Sequence, residues 1–450
     1  MKHKGYIPYL FAAVCTLFYL SLVFNNNVWM DEAFSASIIR CGFKEMVSRT
    51  FADTLPPFYN FSAWFFTRIF GFSTIKLKIF SVIPMTLLML TACRFIPRIS
   101  SERAACIYIV MITVMPHFFE HGVEIRMYSW AVLFSSAAAV FALCWIRSVP
   151  RSGLWLIAST VCGAYTHQYA LVAEGFIWLM LLFISVYKKT LKQWFIGAFI
   201  CIACYIPCAV LTVYQMKRAS SYFSAYPATF DSMMSSVRYP YVTNLTVLST
   251  LLLLLVILLF AYACRIKEYI SAYYILVYFL VTVLSFGLML ATGSTFFSSR
   301  YLLPAVGIMW LGAAVSLDLM ISEKRSALIP ASLLAGAVLI VIYIQQYRIE
   351  YVDMSRFEAF LSQTGDEDGY IMYEEFPEIG ICLEYYAPWM RSSTIDNIGD
   401  VAGKKYVFVN RTVHTNEIAE IEEKKYELRY IENLAFDRYT FRAYELIRKD

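Results

Sequence analysis

The sequence predicts a polytopic α-helical membrane protein of about eleven spans, followed by a small extracytoplasmic α/β domain. Of its 450 residues, 59% are hydrophobic and 17% are aromatic, which is far from the composition of a soluble globular protein. Apolar stretches of about 17–23 residues, enough to cross a bilayer as helices, recur until residue 345 and then stop. The net charge changes at the same boundary, from +13 in residues 1–345 to −8 in residues 346–450.

Basic connections between the apolar stretches set the predicted topology. With the N-terminus in the cytoplasm, every second connection is short and carries Lys or Arg, as cytoplasmic loops do. This topology treats residues 56–71 as an amphipathic helix on the outer surface, and it places residues 346–450 outside. The first apolar run is too long for the core of a signal peptide, so we interpret it as an uncleaved helix. The predicted spans are 6–24, 78–96, 104–119, 127–146, 154–170, 171–187, 193–213, 245–264, 269–291, 301–321 and 326–344.

The predicted outer face collects most of the ionisable residues of the membrane domain. Residues 1–345 contain only 12 Asp and Glu, and seven of them fall on this face. Ionisable groups gathered at the ends of several helices on one side of a membrane protein indicate a polar site. The members of this set are Asp31, Glu32, Glu45, Asp53, Glu120, Glu124 and Asp231, together with His117, His121, His167, Arg126 and Arg300.

Asp31 and Glu32 stand side by side in "NNNVWMDEAFSAS", directly after the first apolar run. One interpretation is an acid pair at a helix N-terminus, which the helix dipole favours. The other is a catalytic role. Asp53, which stands three residues before Pro56 and Pro57 in the same outer segment, favours the second interpretation.

Five segments of the chain resemble the motifs of GT-C glycosyltransferases that use polyprenyl-phosphate sugars. This class includes bacterial protein O-mannosyltransferases and the lipid A aminoarabinose transferases. The resemblance covers residues 5–345 in order and is strongest in 28–84. One departure is that Asp53-Thr54-Leu55-Pro56-Pro57 lacks the histidine of the common Asp-x-His-Pro-Pro pattern. The segments are "WMDEAFSASIIR", "DTLPPFYNFSAWFFTRIFG", "KIFSVIP", "EIRMYSWAVLFSSAAAVF" and "SSRYLLPAVGIMWLGAA".

The resemblance implies a GT-C-like membrane domain over residues 1–345 and a small soluble domain over 346–450. Within the first, residues 25–77 form the first outer loop, and residues 214–243 form a long outer loop that we expect to act as a lid. The implied location is a bacterial plasma (inner) membrane. The tail alternates apolar runs such as "GYIMYEE" and "KKYVFVN" with a polar helical stretch, "NEIAEIEEKKYE", which is typical of a small α/β domain.

The implied activity is transfer of one hexosyl or pentosyl unit, with inversion, from a polyprenyl-phosphate donor. The implied acceptor is an envelope polysaccharide, lipid or protein. The protein is expected to contact membrane lipid and no nucleic acid. A carboxylate near the acceptor hydroxyl removes its proton, and the phosphate leaves without a general acid. Glycoside hydrolysis, in contrast, needs two carboxylates. Asp31 is the predicted base, and Glu32 and Asp53 complete the catalytic group.

Arg126 and Arg300 are the predicted ligands of the donor phosphate, together with Glu124. A guanidinium fork matches phosphate oxygens and stays charged near lipid. The alternative for both is interfacial anchoring or an ion pair with Glu124. The residues predicted to line the substrate cavity are Tyr59, Tyr128, His167 and Tyr301.

The predicted chemistry requires no cofactor and no metal. A divalent cation held by Asp31, Asp53, Glu120 or Glu124 is an open alternative, since a hard cation also binds phosphate. The stretch "HFFEH" (117–121) has the His-x-x-Glu-His spacing of inverzincin proteases, but the predicted span ends there, which disfavours a zinc protease.

Two other functions fit the same number of spans. A transporter or flippase would place ionisable residues near the bilayer midplane, often in the two halves of a repeat, whereas here they gather at the outer ends and no repeat is found. An oligosaccharide polymerase or ligase with a lipid-diphosphate donor would share an outer site, and the sequence separates it poorly from the leading hypothesis.

Overall fold

The protein forms two compact units, one of Met1–Phe24 with Gly42–Tyr343 and one of Asn25–Cys41 with Ile344–Asp450. The junction near residue 343 lies close to the boundary expected at 345. Residues 25–41, expected in the first outer loop of the membrane domain, group instead with the C-terminal residues. The computed structural model describes residues 5–25, 27–219, 229–242, 246–292, 297–323, 352–371, 377–410, 421, 426–436 and 439–449.

The described part of the first unit is helical. Seven of its helices are long and apolar enough to cross a membrane, so the chain is a multi-pass membrane protein. These seven are α5 (Thr74–Ile99), α8 (Tyr128–Ile146), α10 (Gln168–Tyr187), α11 (Leu191–Ala219), α13 (Thr246–Arg265), α14 (Tyr269–Thr292) and α15 (Leu303–Glu323). The others are α1 (Ile7–Leu22), α3 (Phe43–Ala52), α4 (Phe58–Phe70), α6 (Glu102–Val114), α7 (Phe118–His121), α9 (Ser152–Thr166) and α12 (Phe230–Arg238).

Helices α8 and α15 are the most deeply buried of the spans, whereas α11 and α13 expose most of their apolar side chains. Because α11 and α13 are apolar and uncovered, they suit a lipid environment. Close packing in the interior depends on small residues, as is usual for membrane helices. A Cβ at Gly307 of α15 would overlap Oγ of Ser136 on α8, and one at Gly312 would lie 2.5 Å from the Ser271 carbonyl oxygen.

Two expected boundaries of the spans lie elsewhere in the structure. Helix α6 ends at Val114, short of the expected 119, because His117 adopts a left-handed backbone (φ 69°) after Pro116. The break expected at 170/171 lies at His167, whose extended backbone separates α9 from α10. Our prediction of that break was wrong because His167 caps α10 rather than continuing α9. The expected span at 326–344 lies outside the described residues.

In its described residues, the second unit combines three α-helices with a mixed five-stranded sheet. Its strand order is β2-β1-β3-β5-β4, with β1 parallel to β2 and β3, and β5 antiparallel to β3 and β4. The apolar runs at 369 and 404 form β1 and β3, whereas most of the expected helix at 416–427 lies outside the described residues. The elements are α2 (Met30–Arg40), α16 (Ser355–Leu361), α17 (Pro377–Tyr386), β1 (Gly369–Ile371), β2 (Arg391–Ser393), β3 (Lys405–Asn410), β4 (Tyr426–Phe436) and β5 (Tyr439–Arg448).

Helix α4 occupies nearly the bounds expected for the amphipathic helix 56–71. It follows Pro57 and ends at Gly71, whose φ of 84° and ψ of 159° lie in a region that only glycine adopts without strain. The chain therefore turns from α4 towards α5 at a position that a side chain would disturb.

We predict that Gly71→Ala lowers the free energy of unfolding by about 1–3 kcal/mol, because alanine is strained at this backbone conformation. Thermal unfolding of the detergent-solubilised protein measures the change. Gly175→Ala is the matched control, since a Cβ at Gly175 on α10 meets nothing within 4 Å. Equal melting temperatures for the two variants would refute the prediction.

Candidate active site

A cluster of buried polar residues lies in the segment between the end of α6 and the start of α8. Glu124 and Arg126 occupy the segment before α8, and they are only 5% and 7% exposed. The amide of Arg126 donates to the Glu124 carbonyl at 2.7 Å, which keeps this segment tightly turned. Burying two ionisable side chains at a helix junction is costly unless neighbouring groups compensate their charges.

Glu124 is paired with His121. Its Oε2 atom bonds His121 Nδ1, while His121 Nε2 lies 3.0 Å from the hydroxyl oxygen of Tyr239. Burial alone would lower the pKa of His121, but the charge of Glu124 and the hydrogen bond to it outweigh burial, so this pKa stands above its ordinary value. His117 stacks on the Tyr239 ring at a centroid distance of 3.9 Å.

His167 lies between α9 and α10 and is 1% exposed. Its Nδ1 atom accepts a hydrogen bond from the Tyr169 amide at 3.0 Å, so the proton of the neutral ring is on Nε2. Burial, with the positive charges of Arg126 and Arg300, lowers the pKa of His167 to about 3. His167 is therefore neutral at physiological pH, and its Nε2–H has no hydrogen-bond partner among the described residues.

Aromatic rings surround His167. Tyr128 and Tyr301 lie at centroid distances of 5.8 Å and 5.3 Å from the imidazole. The guanidinium carbon of Arg300 is 6.0 Å from the Tyr301 ring centre. The Tyr128 hydroxyl, like His167 Nε2, is buried without a hydrogen-bond partner in the described part of the chain. The structure thus brings together Arg300, Tyr128, His167 and Tyr301, which were all predicted to be site residues.

The loop that carries Asp53 is tied to the same region. Thr54 donates its amide to Asp53 Oδ1 at 2.6 Å, and Gln168 Nε2 donates to the Thr54 carbonyl at 2.8 Å. Gln168 directly follows His167, so the Asp53 loop and the His167 junction are linked by one side chain. Tyr59 packs its buried ring against Phe80 at a centroid distance of 5.9 Å.

Asp31 and Glu32 lie on the first turn of α2, in the second unit, whereas the other eight predicted site residues lie in the first. Glu32 is buried, and its Oε2 accepts a hydrogen bond from the Trp29 amide at 3.3 Å, which caps the helix N-terminus. This contact is the helix-start role weighed above for the acid pair. Asp31 is partly exposed on the same turn.

His117, Glu120 and His121 can bring one ligand atom each within 4.8 Å of one another. No other such group of three occurs among the residues that the structure describes, and the acids Asp31 and Asp53 are not part of it. His117 Nε2 is buried without a hydrogen-bond partner there, which suits a ligand. Both nitrogens of His121 already have partners, so a cation would have to displace Tyr239 or Glu124.

Solved structures of two membrane proteins resemble this chain over nearly its whole length. ArnT from Cupriavidus metallidurans bound to undecaprenyl phosphate superposes with a TM-score of 0.63 at 11% identity, covering 98% of both chains. The oligosaccharyltransferase AglB from Archaeoglobus fulgidus, with an inhibitory peptide and a dolichol-phosphate, gives 0.54 at 11% identity, covering 96% of this chain and 73% of AglB. No protein-family profile and no curated protein sequence matches.

The chain has a GT-C fold. The fold class predicted from the sequence motifs is therefore confirmed. The number of spans in this GT-C fold stays a prediction, because residues 324–351 are not described.

Three residues that contact His117, His121 and the Asp53 loop were not predicted from the sequence. Tyr239 contacts both His117 and His121, and Gln168 and Gln215 hold the Asp53 loop, Gln215 through the Leu55 carbonyl at 3.0 Å. The only available signal for Tyr239 was its place before Pro240 in the long outer loop. The stretch 220–228 of that loop, which we expected to act as a lid, lies outside the described residues.

The His121–Glu124 pair predicts a pH-dependent stability. Folding raises the pKa of His121. Its contribution to the free energy of unfolding is therefore fully present below the pKa of the unfolded state, about 6.5, and is lost as the pH rises through the pKa of the folded state. We expect the melting temperature of the wild type to exceed that of Glu124→Gln most at pH 6, with the gap narrowing towards pH 9.

The control is Glu45→Gln, which removes an exposed carboxylate that bonds Arg49 at 2.8 Å. Its effect on the melting temperature should be small and nearly constant from pH 6 to 9, because surface pairs contribute little. If the difference in melting temperature between the wild type and Glu124→Gln is equally constant over this pH range, His121 and Glu124 do not titrate as a pair.

Proposed function

We propose that this protein is an inverting glycosyltransferase that moves one monosaccharide from a polyprenyl phosphate to an envelope glycan, lipid or protein. The reaction takes place on the outer face of the membrane, with the N-terminus in the cytoplasm and the second unit outside. The observation that carries this proposal is the neutral, buried His167, which lies in the field of Arg126 and Arg300 and whose Nε2–H has no hydrogen-bond partner among the described residues.

These groups suit a lipid-linked phosphate. Two guanidinium groups supply positive charge in a setting where water is scarce, and charge-assisted hydrogen bonds to phosphate are strong there. A neutral imidazole adds a donor without adding charge. ArnT and AglB, which share the fold, have been solved with undecaprenyl phosphate and a dolichol-phosphate, and this supports the same class of donor here.

The transfer itself is a single displacement at the anomeric carbon. The acceptor oxygen forms its bond to that carbon as the bond to the phosphate oxygen breaks, so the configuration inverts. Asp31 receives the proton of the acceptor hydroxyl, and Arg126 and Arg300 stabilise the negative charge on the departing polyprenyl phosphate. Glu32 orders the start of the helix that carries Asp31, and Asp53 assists acceptor binding.

Tyr59, Tyr128 and Tyr301 are assigned to the substrate cavity. Tyrosine rings offer apolar faces to the C–H surfaces of a sugar or to the lipid, and a hydroxyl for one polar contact. The Tyr128 hydroxyl, which is buried without a described partner, is the first candidate to bond the donor.

Arg126→Gln and Arg300→Gln should each raise the KM for the donor by about 10- to 100-fold, because each removes a charge-assisted hydrogen bond worth about 1.5–3 kcal/mol. The measurement is transfer of label from a panel of polyprenyl-phosphate sugars to an envelope extract by the purified protein in nanodiscs. Arg68→Gln is the control, since Arg68 is exposed on α4 and lies over the Trp64 ring at 4.9 Å.

Donor KM values for the two variants that match the control would remove Arg126 and Arg300 from the phosphate site. A wild type that transfers nothing from any polyprenyl-phosphate sugar, but does use a lipid-diphosphate oligosaccharide, would replace the proposal by the polymerase or ligase alternative.

A divalent cation is not required in this proposal, because the two arginines can stabilise the leaving phosphate. We expect transfer to continue at the wild-type rate after exhaustive treatment with EDTA. If activity is lost, and Mn²⁺ or Zn²⁺ restores it in the wild type but not in His117→Asn, the cluster of His117, Glu120 and His121 holds a functional cation instead.

A further inference from the structure

The helix that carries Asp31 is part of the same compact unit as the C-terminal domain, although more than 300 residues separate them in sequence. Helix α2 packs against α17 and buries Ala33, Ala36 and Ile39 completely. Since α2 is only 11 residues long, it depends on such packing for its position and stability.

The segment before α2 is hydrogen-bonded to the C-terminal domain. The Val28 amide donates to the Tyr386 hydroxyl at 2.8 Å, and the Asn27 side-chain amide donates to the Val352 carbonyl at 3.3 Å. The Cys382 thiol faces the Val28 carbonyl at 4.0 Å. Val28 lies three residues before Asp31, so these bonds fix the backbone from which the first turn of α2 begins.

The other end of α2 is held by the same turn of α17. Arg40 donates from Nη1 to the Tyr385 carbonyl at 3.0 Å, and its guanidinium lies 5.1 Å from the centre of the Tyr385 ring. Two adjacent residues of α17 therefore bind the two ends of the acid-bearing helix. A helix fixed at both ends cannot slide or rotate without breaking one of these bonds.

Tyr386 is itself held firmly by the core of the domain. Its ring packs against Phe357 at 5.4 Å and Phe436 at 5.7 Å, and Phe436 belongs to β4 at the edge of the sheet. The hydroxyl that accepts from Val28 thus stands on a rigid part of the fold, as groups that position a catalytic residue must.

We propose that the C-terminal domain sets the orientation of the catalytic carboxylate, and that Tyr386 and Arg40 are positioning residues for Asp31. The inference rests on the proposed role of Asp31 as base. It makes the C-terminal domain a part of the catalytic apparatus rather than a separate accessory. A small misplacement of a reacting group lowers the rate of the chemical step more than it lowers binding.

The test is Tyr386→Phe, which removes the acceptor for the Val28 amide and keeps the ring packing. We expect kcat to fall about tenfold, the size of one hydrogen bond, with the donor KM unchanged because Arg126 and Arg300 lie in the first unit. Hydrogen–deuterium exchange of the peptide containing Val28 should become faster, while exchange in the β-sheet stays as in the wild type. Arg40→Met should likewise lower kcat and leave the donor KM unchanged.

Tyr370→Phe is the matched control. It removes a hydroxyl of the same domain that donates to the Gly380 carbonyl of α17 at 3.3 Å and makes no hydrogen bond to the described residues of 25–41. It should leave both kcat and the exchange at Val28 unchanged.

Three results would overturn the inference: a Tyr386→Phe enzyme with wild-type kcat, a fall in kcat equal to that of Tyr370→Phe, or a loss explained entirely by less folded protein. Asp31→Asn separates this inference from the proposed function. If Asp31→Asn abolishes transfer while Tyr386→Phe is fully active, only the positioning role fails; if Asp31→Asn is fully active, the assignment of the base fails first.

Discussion

Backbone polar groups inside a membrane protein must find partners within the protein, and this constraint shapes the end of the first unit where the candidate site lies. At two helix interruptions in the described part of this unit, a buried side chain bonds the backbone that the interruption releases. Tyr19 of α1 donates to the Ile112 carbonyl at 2.7 Å, where α6 ends, and also contacts the Phe118 carbonyl at 3.3 Å. His167 accepts from the Tyr169 amide at the start of α10.

Three ionisable residues of the candidate site also lie at helix interruptions. Arg126, Arg300 and His167 each occupy a junction rather than the middle of a span, so their polar atoms lie together at the ends of helices. Residues that bond the backbone and residues that we propose to bind the donor are neighbours here. The His167 imidazole caps α10 with Nδ1, and in the proposed function its Nε2–H is the donor to the phosphate.

The sequence was sufficient to predict the fold class, because hydropathy and the sequence motifs are strong local signals. It also singled out four residues that the structure brings together, which are Tyr128, His167, Arg300 and Tyr301. It could not predict that His167 caps a helix, since an apolar run continues on both sides of it. Nor could it group α2 with the C-terminal domain. The bonds from Val28 and Arg40 to α17 join residues far apart in the chain, and neither contact leaves a local pattern in the sequence.

We propose above all that Arg126, Arg300 and His167 bind the phosphate of a polyprenyl-linked donor. A cryo-EM structure of the full chain in nanodiscs with a polyprenyl phosphate tests this binding mode. We expect phosphate oxygens within hydrogen-bond distance of both guanidinium groups and of His167 Nε2. A phosphate bound elsewhere, with His167 Nε2 still lacking a partner, would contradict it.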